Sequence, residues 1–169
     1  MIIINILFKT KVIKQLFIKQ FFMKIRKAEI RDLRALNLIS NEQFKNEKLR
    51  PKFKHIQKDA NYQIKIIEDG DIIFGYIVIK CLDKYLFDIY SMAIKQEYQG
   101  KGYGYKFLRY ILESFNGHKF NLEVSEENNA KYLYIKCGFK IDGVRKGYYG
   151  EKDAILMSCY VFRPGSEES

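Results

Sequence analysis

Apolar residues recur along this chain in two rhythms, and the order of those rhythms predicts an α/β fold. Residues 23–28 alternate well enough for a first strand, after which Leu33, Leu36, Leu38 and Ile39 recur at helical spacing behind Asp32, a candidate N-cap. Ser40, Asn41 and Glu42 are expected to break that helix. Residues 44–58 are basic and mixed in pattern, with Pro51 ruling out a long helix, so a second short helix and a loop are predicted there. Alternation then takes over: 62–67 and 72–81 flank an Asp69-Gly70 turn signal and read as a hairpin. Gly75 inside the second strand marks a bulge or a close packing contact. A further turn at 82–84 leads into a strand ending at Ile94, which completes an antiparallel meander. Helical spacing returns in Phe107, Leu108, Ile111, Leu112 and Phe115, and a short strand carries Leu122 and Val124 inward with Glu123 on the opposite side. One more helix and two closing strands, the last running through Val161, give a sheet with mixed strand directions.

Composition narrows the class. At 169 residues the chain fits one domain able to bury about two-thirds of its unfolded surface, and 47% hydrophobic residues with 15% aromatics argue for a packed core. The expected domain is 23–162, with 163–169 as a disordered tail. Cys81, Cys137 and Cys159 form no C-x-x-C pair, which points to a reducing, cytoplasmic setting. Two histidines, His55 and His118, lie far apart, so no metal is expected. The formal net charge of +10 is partly local: residues 1–22 carry four lysines and no acid, leaving 26 basic against 20 acidic residues in the remainder. That segment is apolar and basic, yet its longest uncharged run, 1–8, is far short of the ~20 residues of a spanning helix. Three readings stand for it: translated sequence upstream of a start at Met23, an amphipathic helix, or a transit-like segment; the first is favoured because 23–28 already reads as a strand. Nucleic acid is an improbable partner, since there is no zinc-finger spacing, no aromatic RNP-like strand and no long basic helix.

Candidate chemistry concentrates in Tyr98-Gln99-Gly100-Lys101-Gly102-Tyr103-Gly104, which joins an apolar strand to an amphipathic helix. Glycines permit positive φ and a close backbone approach, and a helix N-terminus offers free N–H groups, so the stretch reads as an anion cradle. The run lacks the G-x-x-x-x-G-K-[ST] of a nucleotide-phosphate loop. It also departs from the dinucleotide fingerprint, because Tyr105 stands where the third glycine should fall. What it satisfies is [QR]-x-x-G-x-[GA], through Gln99, Gly102 and Gly104, and there it resembles the coenzyme A loop of the GCN5-related N-acetyltransferases.

A second stretch, 128–139, is similar to that family's N-x-A-x-x-L-Y-x-K-x-G-F motif, in the family's order and spacing. The resemblance covers about 24–162. It implies a mostly antiparallel sheet of six to seven strands with about four helices and a splayed central strand pair. It also implies acetyl-CoA as cosubstrate. In that scheme the backbone of Met92, Ala93 and Ile94 receives the pantetheine arm and acetyl carbonyl. Gln99, Gly100, Lys101, Gly102, Tyr103, Gly104 and Tyr105 hold the diphosphate, and Asn128 contacts the arm. Glu123 acts as base, directly or through water, and Tyr134 protonates the departing thiolate. Without the resemblance, Glu123 reads first as a solvated edge position, Tyr134 as a core aromatic and Asn128 as a helix cap.

The tail from Gly143 resembles the G-x-R-x-x-Y-Y…D-A-x-x-M pattern of acetyltransferases that modify protein N-termini, including bacterial enzymes acting on ribosomal protein S18. That implies Tyr148 and Tyr149 as lining for the acceptor amine, which would be a protein N-terminus or lysine. A small amine such as a polyamine or aminoglycoside is the alternative acceptor, and a basic RNA- or ribosome-binding module is the alternative outside enzymes. Tyr105 departs from the basic residue common after the glycines, and 44–58 lacks the relatives' recognisable substrate loop. A monomer or weak dimer is expected.

Overall fold

The computed structural model describes residues 23–148 and 152–162. The expectations placed on 1–22, on Tyr149 and on 163–169 lie outside the described residues. Seven strands form one sheet: β1 (Met23–Lys27), β2 (Tyr62–Asp69), β3 (Ile72–Asp83), β4 (Leu86–Ile94), β5 (Lys119–Ser125), β6 (Lys140–Arg145) and β7 (Ala154–Tyr160). Their spatial order is β1-β2-β3-β4-β5-β7-β6. Every neighbouring pair is antiparallel except β4 and β5. The helices are α1 (Leu33–Gln43), α2 (Phe53–Ile56), α3 (Tyr103–Glu113) and α4 (Ala130–Lys136).

The β2–β3 hairpin turns where Asp69-Gly70 predicts, with Gly70 at φ +57°. In α3 the predicted stripe is the buried one: Phe107, Leu108, Ile111 and Leu112 are each 2% exposed or less. Each contributes roughly 1.5–3 kcal/mol by leaving water. They pack with α4 on one face of the sheet, against Phe74, Ile77, Ile79, Phe87, Ile89, Phe120, Leu122 and Val124. On the other face Leu36 and Ile39 of α1 and Phe53 and Ile56 of α2 cover Ile64, Ile66, Tyr76, Val78 and Ala93. No residue of β5, β6 or β7 belongs to this second cluster, so helices cover that face only over β2, β3 and β4. Among the described residues no helix is long and apolar enough to cross a membrane.

Three local expectations are corrected. The α1 helix runs through Ser40 to Gln43 instead of breaking, because Ser40 is buried in the packing of α1 on the sheet and Phe44 N–H still closes a turn on the Ser40 carbonyl (2.9 Å). Leu38, predicted to face inward, is 60% exposed, since at 3.6 residues per turn it lies about 200° round from Leu36 and about 100° from Ile39, off the core-facing stripe those two set. Asp32 precedes the helix but makes no side-chain cap to it.

Asp32 instead accepts bonds from Arg26 Nη1 and Nη2 (2.7 and 3.0 Å) and from the Glu29 N–H (2.7 Å). Arg26 Nε also donates to Glu68 (3.0 Å), so one guanidinium ties β1 and β2 to the start of α1. Hydrogen bonds from Arg26 hold the Asp32 carboxyl below the usual carboxylate range, outweighing the opposing effect of burial. A lowered native pKa stabilises the fold above the unfolded value of about 3.9, and that contribution is lost as pH falls through the lowered native value. Asp32→Asn is therefore expected to cost roughly 1.5–3 kcal/mol at pH 7, near the low end because Glu68 still pairs with Arg26. Urea unfolding should show the gap between wild type and variant closing below about pH 4.

Candidate active site

Pairing between β4 and β5 stops early. Leu86, Phe87 and Asp88 pair with Lys119, Phe120 and Asn121, and beyond that rung the two strands share no ladder. A bulge accompanies the divergence: Val78 of β3 pairs with Ser91 while Ile79 pairs with Ile89, leaving Tyr90 as the extra residue. Bulges bend a strand and increase its twist, which turns the upper half of β4 towards β3 and away from β5. Gly75 accommodates that shift by close packing: a Cβ there would lie 2.4 Å from Ile94 Cδ1 and 3.0 Å from the Ala93 carbonyl oxygen. The predicted splayed pair is thus present, with Met92, Ala93 and Ile94 on its β4 side and Glu123 on its β5 side.

The glycine stretch lies at the top of this wedge. Gly100 and Gly102 have φ of +70° and +81°, a region L side chains rarely adopt, and Gly102 sits at the N-cap of α3. No side chain caps that terminus, so its first-turn N–H groups are left to the loop's own surroundings or to a ligand. The side chains of the predicted cofactor residues do other work. Gln99 Nε2 donates to the Ile94 carbonyl (2.8 Å) and to Gln43 Oε1 (2.7 Å), pinning the loop to β4 and to α1. Lys101 Nζ donates to the Glu97 carbonyl (2.7 Å). The Tyr103 ring packs edge-on against Phe74, on which Tyr98 also stacks. Lys136 Nζ lies 5.0 Å from the centre of the Tyr105 ring. What this stretch can offer an anion is main chain.

Glu123 and Tyr134 stand on opposite faces of β5. Leu122 and Val124 pack into the cluster that contains Tyr134, whose buried ring meets Phe139 edge-on at 5.8 Å. Alternation sends Glu123 to the face that α1 and α2 leave uncovered. Its strand is central, between β4 and β7, which removes the solvated-edge reading. Asn128 Oδ1 accepts from the Ala130 N–H (2.9 Å), so its carbonyl group caps α4. The far end of α4 closes in a Schellman motif on Gly138, with Phe139 N–H bonding the Tyr134 carbonyl at 3.0 Å, which fixes the backbone that carries Tyr134.

Two residues given no role from sequence join this site. Arg145 of β6 forms an ion pair with Glu123 (Nη1–Oε1 2.8 Å), and its guanidinium lies 4.8 Å from the centre of the Tyr148 ring. The Tyr148 hydroxyl also bonds Glu123, and that bond raises its pKa. The signal was in the sequence: the arginine of the G-x-R-x-x-Y-Y pattern is Arg145, but only the β5–β7–β6 register, Ser125 to Ala154 to Arg145, shows that it reaches Glu123. The second is Asp88, on the last shared rung of β4 and β5. The two buried cysteines are poor nucleophiles, since burial pushes the Cys137 thiol up to about 11 and the Cys159 thiol to about 12. Among the described residues no group of three or more His, Cys, Asp or Glu side chains could hold a metal ion.

The family model for the acetyltransferase (GNAT) domain matches residues 60–141. The chain is 34% identical over 116 residues to the [ribosomal protein bS18]-alanine N-acetyltransferase of Haemophilus influenzae, covering 64% of this chain and 78% of that protein. Its fold superposes on the crystal structure of the ribosomal-protein-S18-alanine N-acetyltransferase from Escherichia coli with a TM-score of 0.73 at 21% identity, covering 88% of this chain and 99% of that one. It also superposes on spermidine N-acetyltransferase from Vibrio cholerae in complex with CoA and spermine, with a TM-score of 0.70 at 21% identity over 82% of this chain and 95% of that one. A wedge between two strands, an uncapped glycine-led helix above it and the family motifs in order have one common explanation: the chain belongs to the GNAT family and is an acetyl-CoA-dependent N-acetyltransferase.

Proposed function

We propose that the chain transfers an acetyl group from acetyl-CoA to the α-amino group of a protein N-terminus, in the cytoplasm, with the N-terminal alanine of ribosomal protein bS18 as the first acceptor to test. The observation that carries the reading is the open wedge above Asp88 and Asn121, with a carboxylate and a phenol on opposite faces of its β5 side. An acyl transfer needs those groups on two sides, because the amine arrives and the thiolate departs along different directions.

In this reading the main-chain amides of residues 99–105 hold the diphosphate, and α3 directs the positive end of its dipole at it. The backbone of Met92, Ala93 and Ile94 orients the pantetheine arm and polarises the acetyl carbonyl, with one Ile94 lone pair already taken by Gln99. Asn128 can contact the arm with its amide nitrogen while its oxygen caps α4. Tyr134 protonates the leaving sulfur. Glu123, fixed by Arg145, faces the incoming amine, and Tyr148 lines its approach. The acceptor assignment is supported by the 34% identity to the Haemophilus influenzae enzyme and by the G-x-R-x-x-Y-Y tail.

A peptide with a free N-terminal alanine should gain one acetyl group from acetyl-CoA, read by mass spectrometry. The same peptide with a blocked N-terminus and a free lysine, or spermidine, should gain little; acetylation of these alone would sink the N-terminal assignment. Tyr134→Phe should lower kcat on the order of 10²-fold while calorimetry shows the acetyl-CoA Kd unchanged. Gly102→Ala forces a side chain into left-handed backbone at about 1–2 kcal/mol, so acetyl-CoA binding is expected to weaken by about tenfold.

A further inference from the structure

The tail pattern G-x-R-x-x-Y-Y…D-A-x-x-M holds one charged residue to which the acetyl-transfer reading gives no role, Asp153. Among the described residues the β6–β7 ladder ends at the rung Arg145–Ala154, and Asp153 is the first residue beyond it. The two groups that reach Glu123, the Arg145 guanidinium and the Tyr148 hydroxyl, therefore stand at or past the end of the sheet, where strand pairing no longer fixes position. Side chains in such a place keep one geometry only if another bond closes the turn that carries them.

Asp153 closes the turn from the β7 side. Its Oδ1 accepts from the Gly147 N–H (3.0 Å) and its Oδ2 from the Lys146 ammonium. Gly147 has φ +61°, the left-handed bend that separates Arg145 from Tyr148. The main chain of Asp153 faces the other way, its carbonyl accepting from the Glu126 N–H (3.1 Å), and beside it Lys152 pairs with Glu127. Those two glutamates lead directly into Asn128 and α4. The Asp153 side chain is 13% exposed, whereas that of Lys146 is 86% exposed. An ion pair with one partner so open to water contributes little, so the bond from a main-chain N–H to the carboxylate is the one that sets the turn.

We propose that Asp153 is a positioning residue for the acceptor: through its bond to the Gly147 N–H it holds the β6–β7 turn in the one conformation that keeps both Arg145 and Tyr148 on Glu123. The inference rests on the acetyl-transfer reading above and places the order of the acceptor side in a residue that touches no substrate. The Arg145 guanidinium lies 4.8 Å from the centre of the Tyr148 ring while both reach Glu123, so the three side chains share one arrangement and lose it together. Without the Asp153 carboxylate the Gly147 N–H turns to water and the turn samples other conformations. The donor side is insulated from that change. Its glycine turn is pinned by Gln99 to β4, and the main-chain bond from Glu126 to the Asp153 carbonyl survives a change of side chain.

The test is steady-state kinetics on a peptide with a free N-terminal alanine, beside acetyl-CoA binding by calorimetry. Asp153→Ala is expected to raise peptide KM on the order of tenfold, with kcat within about threefold and the acetyl-CoA Kd unchanged, the split left by a lost acceptor contact. Asp153→Asn keeps an oxygen for the Gly147 N–H and should bring peptide KM back to within about threefold of wild type. In a Tyr148→Phe background, where one bond to Glu123 is already gone, Asp153→Ala should raise KM by a smaller factor than it does in wild type. If the alanine variant does not fold, Asp153→Glu, whose carboxylate stands one methylene too far out, should show the same split. The inference is overturned, with acetyl transfer intact, if the folded variant loses melting temperature alone and keeps its peptide KM, if Asp153→Asn is as impaired as Asp153→Ala, or if the Tyr148→Phe background leaves the factor undiminished. A wild type that acetylates no amine overturns both.

Discussion

Where the hydrogen-bond ladder between β4 and β5 stops, the main-chain groups of both strands face each other across a gap instead of pairing. A buried N–H or C=O without a partner costs about 1–3 kcal/mol, so an unpaired wedge inside a sheet persists only where the surroundings enforce it. Three features do so here: the Tyr90 bulge, the bare backbone at Gly75 that lets Ile94 pack inward, and the Gln99 side chain that satisfies the Ile94 carbonyl. The rest of the site follows from that gap, because it gives backbone donors a place to meet a ligand that the sheet would otherwise close.

The enforcement extends beyond the strands. Glu42 and Gln43 at the end of α1 bond Gln96 N–H and Gln99 Nε2, both at 2.7 Å, so the helix covering one face is tied to the loop at the head of the other. The start of α1 is anchored in turn by Asp32 and Arg26 to β1 and β2. Below, Tyr98 and Tyr103 brace the glycine turn on Phe74. The glycines supply the positive φ angles, and their neighbours supply the rigidity that lets backbone amides act as preorganised donors.

Electrostatics divides the wedge between its two sides. The phenol of Tyr134 is enclosed in the apolar cluster under α3 and α4, whereas Glu123 lies on the opposite face of β5, beside Arg145 and Tyr148. In the proposed reaction the dry side suits the acyl donor and the charged side the amine.

Much of this was legible in the chain itself. The order of strands and helices, the hairpin at Gly70, the stripe of α3 and both family motifs depend on residues close together in sequence, where backbone preference and periodicity act directly. Ser40 and Leu38 misled because helix limits and facing are decided by what a helix packs against. The tie between Arg145 and Glu123, the position of Asp88 beneath the wedge and the Tyr90 bulge could not be read in advance. They arise from strand register, and register joins residues 10 to 33 positions apart through hydrogen bonds that leave no local mark on the sequence.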